Sequence, residues 1–395
     1  MGIEQYKDSV IKKVDEIKEE LFEVSDYIYN HPEYCFEEYL SSQKLVQHLE
    51  MHDFQVEKGI AGLDTAFCAV YNSEKPGFHV GLFGEYDAVE GLGHACGHNI
   101  MGTVALGAGI AVKSVIDEIG GSVSVFGTPA EEGGGGKIIM LGKGVFKGLD
   151  AAMILHPASD TVVNDISYSR TDLEVNFYGK TAHAATFPDE GISALNALIQ
   201  LFNTINAMGL ELMGKGKIIG VITKAGEDPI YIPEHGQAKF TIRSFNMKYK
   251  MQLVERFLAI CKSVAEATRT RFEYQFMGLA YEDIRNNEKM EAFLEKNFTQ
   301  LGEVVCSRER ELGIGCTDMG NITHEIPALQ SYVQVAKGMR GHTKEFMEAV
   351  GDERGRKAIL TGAKAMAMTA IDLLASAENM TEVKAGFQRM KDKFE

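Results

Sequence analysis

The sequence lacks any pairing among its cysteines. Cys35, Cys68, Cys96, Cys261, Cys306 and Cys316 are scattered along 395 residues, without the close, repeated spacings of a disulfide framework. The amino terminus is acidic and amphipathic rather than a basic segment followed by an apolar run. Together these features point to a reducing, cytoplasmic setting. No apolar stretch approaches the roughly 20 residues needed to cross a bilayer, so no membrane span is expected. Positive charge is also scarce: 40 basic against 56 acidic residues leave a net charge of −16. Such a chain repels phosphate backbones unless it carries a separate basic patch, and none is visible, which excludes nucleic acid as an expected partner. Internal repeats and low-complexity linkers are absent too. What remains is ordinary globular material, 45% hydrophobic and 24% charged, long enough for two or three structural units.

Chemistry concentrates in one stretch. Gly84-Glu85-Tyr86-Asp87 is followed by Gly91-Leu92-Gly93-His94-Ala95-Cys96-Gly97-His98-Asn99, which sets acids, imidazoles and a thiol on a glycine-rich loop. Soft and borderline ligands on a tight turn suit a metal. The same residues would also fit a buried free cysteine beside two hydrogen-bonded histidines, or a Cys96 nucleophile paired with His94 or His98.

The surrounding pattern supplies a scaffold. Val10, Val14, Ile17, Leu21, Val24 and Ile28 recur at helical spacing and predict one amphipathic opening helix that stops near His31-Pro32. Residues 66–71 and 80–83 read as buried strands, 99–119 as an alanine- and glycine-rich helix capped by Gly120-Gly121, and 122–126 and 151–155 as further strands. This alternation predicts an α/β sheet with sites at strand ends, where Glu131-Glu132 and His156 would lie just beyond their strands and meet Cys96 and His98. Around Ser167 the texture changes to a βαββαβ unit built from alternating strands and two helices. The predicted organisation is a first catalytic part over 1–167, an inserted unit over 168–280 and a second catalytic part over 281–395, with a charged tail that frays from Glu378.

Two alternative motifs fail. The run Gly133-Gly134-Gly135-Gly136-Lys137 is not a phosphate loop, because Glu131 stands where a glycine belongs and Ile138 where a serine or threonine belongs. Cys96-Gly97-His98 lacks the second cysteine of a haem attachment. The glycines more plausibly start a helix or pass close to a metal.

The order of motifs resembles the metal-dependent amidohydrolases of the aminoacylase and carboxypeptidase type, and within them the branch of auxin-conjugate hydrolases, p-aminobenzoyl-glutamate hydrolase and aminoacylase-like dipeptidases. The match runs from His31-Pro32-Glu33 through Phe36-Glu37-Glu38 to His342-Thr343-Lys344-Glu345-Phe346. This resemblance implies a zinc-peptidase-like catalytic domain, with a mixed central sheet flanked by helices, and an inserted ferredoxin-like dimerisation domain. It implies one or two divalent metals, Zn or Mn, held by Cys96, His98, Glu132, His156 and His342, with Cys96 bridging and Glu131 as general base. Gly179-Lys180-Thr181-Ala182-His183-Ala184 matches a motif whose histidine reaches across a homodimer to stabilise the oxyanion. Arg243 matches a position for the substrate carboxylate, and Asp318 and Asn321 lie in a motif that lines the active site. The implied reaction is hydrolysis of the amide of an N-acyl amino acid, an aminobenzoyl-glutamate-like compound or a small dipeptide. Three positions depart from the pattern. Glu85 stands where many relatives have a histidine, Asn99 replaces an aspartate, and Ile230 replaces a substrate-holding asparagine. Glu85 and Ile230 motivate the alternative of a non-hydrolytic relative with an incomplete metal site.

Overall fold

The computed structural model describes residues 2–308 and 314–394. The chain opens with α1 (Ile3–Glu16), α2 (Lys18–Asn30) and α3 (Tyr39–Met51), then β1 (Gln55–Lys58), β2 (Phe67–Asn72) and β3 (His79–Gly84). Next come α4 (His98–Ile119), β4 (Ser122–Gly127), α5 (Gly136–Gly142), β5 (Ala151–Ala158) and β6 (Thr161–Val162). A middle segment follows with β7 (Ser169–Tyr178), α6 (Ala194–Ala207), α7 (Gly209–Leu212), β8 (Gly216–Lys224), β9 (His235–Ser244), α8 (Met247–Thr268) and β10 (Arg271–Tyr281). The chain closes with α9 (Glu288–Gln300), β11 (Val305–Cys306), α10 (Met319–Glu325), β12 (Ala328–Gln334), α11 (Lys344–Val350), α12 (Glu353–Leu374) and α13 (Ala377–Phe394). Two compact units result: Met1–Ile166, Ile284–Gly313 and Thr317–Glu395 form one, and Ser167–Asp283 with Ile314–Cys316 form the other.

The first unit is built on an eight-stranded mixed sheet in the order β1-β2-β4-β3-β5-β12-β6-β11. Its centre, β4, β3, β5 and β12, is parallel, and such strands need cover on both faces, which explains their unbroken apolar sequences. Helix α4 supplies much of that cover and is buried over most of its length. Its small residues allow close approach: a Cβ on Gly84 of β3 would lie 2.9 Å from the Gly102 Cα, and one on Gly107 would lie 2.9 Å from Leu21 Cδ1.

Several sequence expectations change here. The opening helix breaks at Ile17 into α1 and α2 although no glycine or proline marks the spot; the apolar stripe nevertheless stays continuous, with Val10, Val14, Leu21, Val24 and Ile28 fully buried. Strand β5 runs through His156-Pro157 to Ala158 instead of stopping before them, because β12 pairs alongside as far as Gln334. The tail is helical: α13 buries Met380 and Val383 completely. The expectation that no segment could span a bilayer also needs correction. Helix α4 has the length and a mean hydropathy of 1.5 that would suffice, but 89% of its apolar window is packed inside the protein.

The second unit follows the order β7-α6-α7-β8-β9-α8-β10, with an antiparallel sheet arranged β10-β7-β9-β8. Strict alternation puts Leu173, Val175, Phe177, Ala238, Phe240 and Ile242 on the face covered by α6 and α8. The other face carries Glu174, Lys239 and Thr241 together with the exposed Ile219 and Val221 of β8.

Candidate metal centre

The carboxyl ends of β3, β4 and β5 carry the reactive loops of the first unit. His98 is the first residue of α4, set there by Gly97 at φ 81°; a Cβ on Gly97 would fall 2.5 Å from Pro157 Cγ, so only glycine lets this loop close on β5. Asp87, just past β3, is 2.9 Å from His98 Nδ1 through Oδ1, while its Oδ2 accepts the Glu132 N–H at 2.8 Å. With Nδ1 bound to a carboxylate, the buried His98 Nε2 makes no hydrogen bond among the described residues and lies 3.3 Å from Glu85 Oε2. His156 is oriented the same way: Nδ1 donates to the Pro157 carbonyl at 2.6 Å, leaving Nε2 3.2 Å from Cys96 Sγ. A carbonyl or carboxylate on one ring nitrogen is the usual device for fixing the other as a ligand.

Among the described residues three groups of ligand atoms each lie within 4.8 Å of one another: Cys96 with His98 and His156, Cys96 with Glu132 and His342, and His98 with Glu85 and Glu131. Cys96 belongs to the first two. His342 arrives from the other end of the chain, its N–H donated to the Ala95 carbonyl at 2.8 Å and its Nε2 3.2 Å from Glu132 Oε1. A cysteine sulfur, three imidazoles and a carboxylate gathered in this way would suit borderline divalent ions.

The electrostatics agree with cation binding. Burial would raise the Glu132 carboxyl, but the hydrogen bond and charge of His342 and the charge of His98 hold it down at about 2. Burial, with the charge of His98, pushes His156 down to about 3 and His94 to about 4, so both rings stay neutral. Burial raises the Cys96 thiol, which needs a cation in contact to ionise. Glu131 lies beside His98, their ligand atoms within 4.8 Å, and burial and the charges of Glu85 and Asp318 raise its carboxyl well above the ordinary range. A second carboxyl group thus adjoins the ligand cluster.

Residues 75–372 match the model of peptidase family M20/M25/M40. The chain belongs to this family. Among curated relatives, it is 28% identical over 400 residues to Xaa-Arg dipeptidase of Mus musculus, covering 98% of this chain and 93% of the relative. It is 27% identical over 445 residues to a component of the p-aminobenzoyl-glutamate hydrolase of Escherichia coli (strain K12), covering 94% and 92%. Among solved structures, a dinuclear metal-binding peptidase of the M20 family from Bacillus subtilis superposes with a TM-score of 0.73 at 19% identity, over 91% of this chain and 99% of that one. The protein is therefore a metal-dependent M20 amidohydrolase or peptidase.

Within this M20 chain, Glu85 finds a partner the sequence did not reveal. Lys137, the residue after the glycine run, is fully buried, with Nζ 2.5 Å from Glu85 Oε1 and 2.7 Å from Asp318 Oδ1. Asp318 Oδ2 accepts the Lys137 N–H at 3.0 Å. Burial disfavours the ammonium, yet the two carboxylates outweigh it and raise its pKa. The glycine run does start a helix, α5, and aims its lysine inward. Asp318, expected beside substrate, is itself fully buried with both oxygens on Lys137; Asn321 lies buried on α10.

Backbone strain collects here as well. Phe36, Ala130 and His342 adopt left-handed φ of 64°, 62° and 61°, a conformation that costs a residue with a Cβ on the order of 1–3 kcal/mol and persists where surroundings enforce it. In the second unit, exposed His183 uses Nδ1 to accept the N–H groups of Ala185 at 3.3 Å and Thr186 at 3.1 Å, which leaves its proton on Nε2. Arg243, on β9, stands between Arg170 and Lys217 on its neighbouring strands, and its buried Nε has no acceptor among the described residues. Ile230 is exposed.

Proposed function

We propose that this protein hydrolyses the amide bond of small dipeptides, N-acyl amino acids or aminobenzoyl-glutamate-like compounds, with Glu131 as the general base. The observation that carries this reading is the pair of ligand triplets sharing Cys96, with the Glu131 carboxylate beside them. Cys96, His98, Glu132, His156 and His342 would hold divalent ions, Zn or Mn by donor type, which would supply a Lewis acid for the carbonyl and for water. Glu131 takes the proton of the attacking water and returns it to the departing amine. Its half-buried setting suits a carboxylate that must hold a proton between those two steps.

The second unit contributes recognition in this proposal. His183 Nε2–H, fixed as a donor by the two amides on Nδ1, stabilises the developing oxyanion from the partner subunit of a homodimer formed through this unit. Arg243 pairs with the free carboxylate of the substrate. Asp318 acts through Lys137, and Asn321 belongs to the same α10 segment. The domain boundaries at 167/168 and 280/281 and a cytoplasmic location, to which the free cysteines of the described residues lend support, belong to the same reading. A non-hydrolytic relative is not favoured: Cys96, His98, Glu132, His156 and His342 form two ligand triplets that share Cys96, and Glu85, paired with Lys137, also lies 3.3 Å from His98 Nε2.

The test is a screen of dipeptides, N-acetyl amino acids and p-aminobenzoyl-glutamate on protein of measured metal content. Hydrolysis that chelation abolishes and Zn or Mn restores is the expected result. Metal-replete protein that cleaves none of the three classes contradicts it.

A further inference from the structure

Glu131 is carried on a turn whose backbone is held from both sides by buried carboxylates. On one side the Glu132 N–H is donated to Asp87 Oδ2 at 2.8 Å. On the other, the Ala130 N–H is donated to Glu38 Oε1 at 2.9 Å. Glu38 is fully buried at the start of α3, 92 residues away in sequence from Ala130, and its carboxylate gathers three donors. Besides Ala130, Oε1 accepts the Phe36 N–H at 2.9 Å and Oε2 accepts the Thr65 hydroxyl at 2.8 Å. Thr65 is anchored in turn, its carbonyl accepting the buried Tyr86 hydroxyl at 2.6 Å.

The two residues whose amides Glu38 binds through Oε1, Phe36 and Ala130, are both in left-handed conformation despite carrying a Cβ. Both flank Gly134: a Cβ there would lie 2.5 Å from the Phe36 ring and 2.6 Å from Ala130 Cβ. The Ala130 carbonyl accepts the N–H groups of Gly134 and Gly135, so the turn is closed on itself as well. A left-handed alanine without such a partner relaxes toward right-handed or extended backbone, and the next side chain in sequence swings with it.

We propose that Glu38 is a positioning residue: its carboxylate holds Ala130 in the left-handed conformation that directs Glu131 at the ligand cluster, acting as a hydrogen-bond acceptor and not as a charge. This rests on the assignment of Glu131 as the base. Asp87 is unsuited to test the clamp, since it also orients His98; Glu38 touches none of the metal ligands among its hydrogen-bond partners.

Glu38→Gln keeps an oxygen where Oε1 accepts, and its amide can face the Thr65 hydroxyl as donor. Glu38→Asp keeps the charge but withdraws the acceptor by one methylene. Glu38→Ala removes both. The measurements are kcat and KM for the best-cleaved compound of the three screened classes, metal content per subunit and thermal midpoint, with Glu131→Gln as control. Expected is a kcat lower by roughly tenfold to a hundredfold in Glu38→Asp and Glu38→Ala, with KM and metal content as in the native protein. Glu38→Gln recovers most of the loss. Native kcat in folded Glu38→Asp, or equal impairment of Glu38→Gln and Glu38→Asp, overturns the proposal, and the two milder variants decide the matter even if Glu38→Ala does not fold. Substantial turnover by Glu131→Gln would instead remove the base assignment, and this proposal with it.

Discussion

Glu38 shows how burial turns one residue into a pH-dependent element of stability. Burial and the charge of Asp87 outweigh its three donors and push its carboxyl from the ordinary 4.5 up to about 7. The folded protein therefore holds this proton more tightly than the unfolded chain does. The contribution to stability is complete below the ordinary value and is lost as pH rises through 7. Glu38→Gln removes that dependence. Its stability relative to the native protein should rise between pH 4.5 and 8 by up to about 3 kcal/mol, since each tenfold change in proton affinity is worth about 1.4 kcal/mol. Urea melts at the two pH values measure this; an equal difference at both would refute the cause given. Lys137 makes the opposite case. Lys137→Met leaves Glu85 and Asp318 as adjacent carboxylates in a closed interior without the ammonium they share, a loss of about 3–5 kcal/mol. Glu85→Gln added to that variant should recover part of it in chemical denaturation, and failure to do so would show that the carboxylates do not share the charge. Cys96-Gly97-His98 and Glu131-Glu132 stand out in the sequence as two close pairs beside strand ends, but their roles rest on the resemblance. His342 was legible only by resemblance, since a histidine in a Gly-His-Thr turn has no local signature. Lys137 hid behind its glycines, whose resemblance to a phosphate loop drew attention to the backbone and away from the side chain. Glu85 looked misplaced because its partner lies 52 residues on.

Elements were legible where periodicity reports burial directly. The parallel strands read as apolar runs, the second unit's strands as strict alternation, and α4 as a helix ended by glycines, because in each the pattern of contacts repeats along the sequence. Failures fell where neighbours far along the chain decide the outcome. Strand β5 extends past His156 because β12, some 170 residues later, pairs with it, and this places His156 within the sheet rather than on a loop, a firmer mount for a ligand. Helix α13 read as a charged tail because only a narrow face is apolar. Met380 and Val383 occupy that face, the Val383 carbonyl accepts the Asn287 amide at 2.8 Å, and Lys384 pairs with Asp150 at 2.5 Å. Met380→Ala should cost about 2–5 kcal/mol, the range for emptying a buried aliphatic site, seen as a lowered thermal midpoint with little change in kcat. A neutral effect would mean that the tail frays after all.

At the scale of the whole molecule, the two units divide the work in the proposed account: one holds metals and base, the other oxyanion donor and carboxylate grip. If His183 acts across a dimer, two inactive proteins should complement each other. Mixing Glu131→Gln and His183→Ala subunits under conditions of exchange places one intact set of groups in each hybrid, and roughly a quarter of native activity should return, as expected for a two-fold symmetric pair. No recovery, despite hybrids demonstrated by native mass spectrometry, would place His183 in its own subunit's site or outside the reaction. The most direct measurement of the central claim is the turnover of Glu131→Gln with its metals counted. The account expects metal per subunit equal to that of the native protein and a kcat lower by at least about a hundredfold. Near-native hydrolysis by that variant would contradict it.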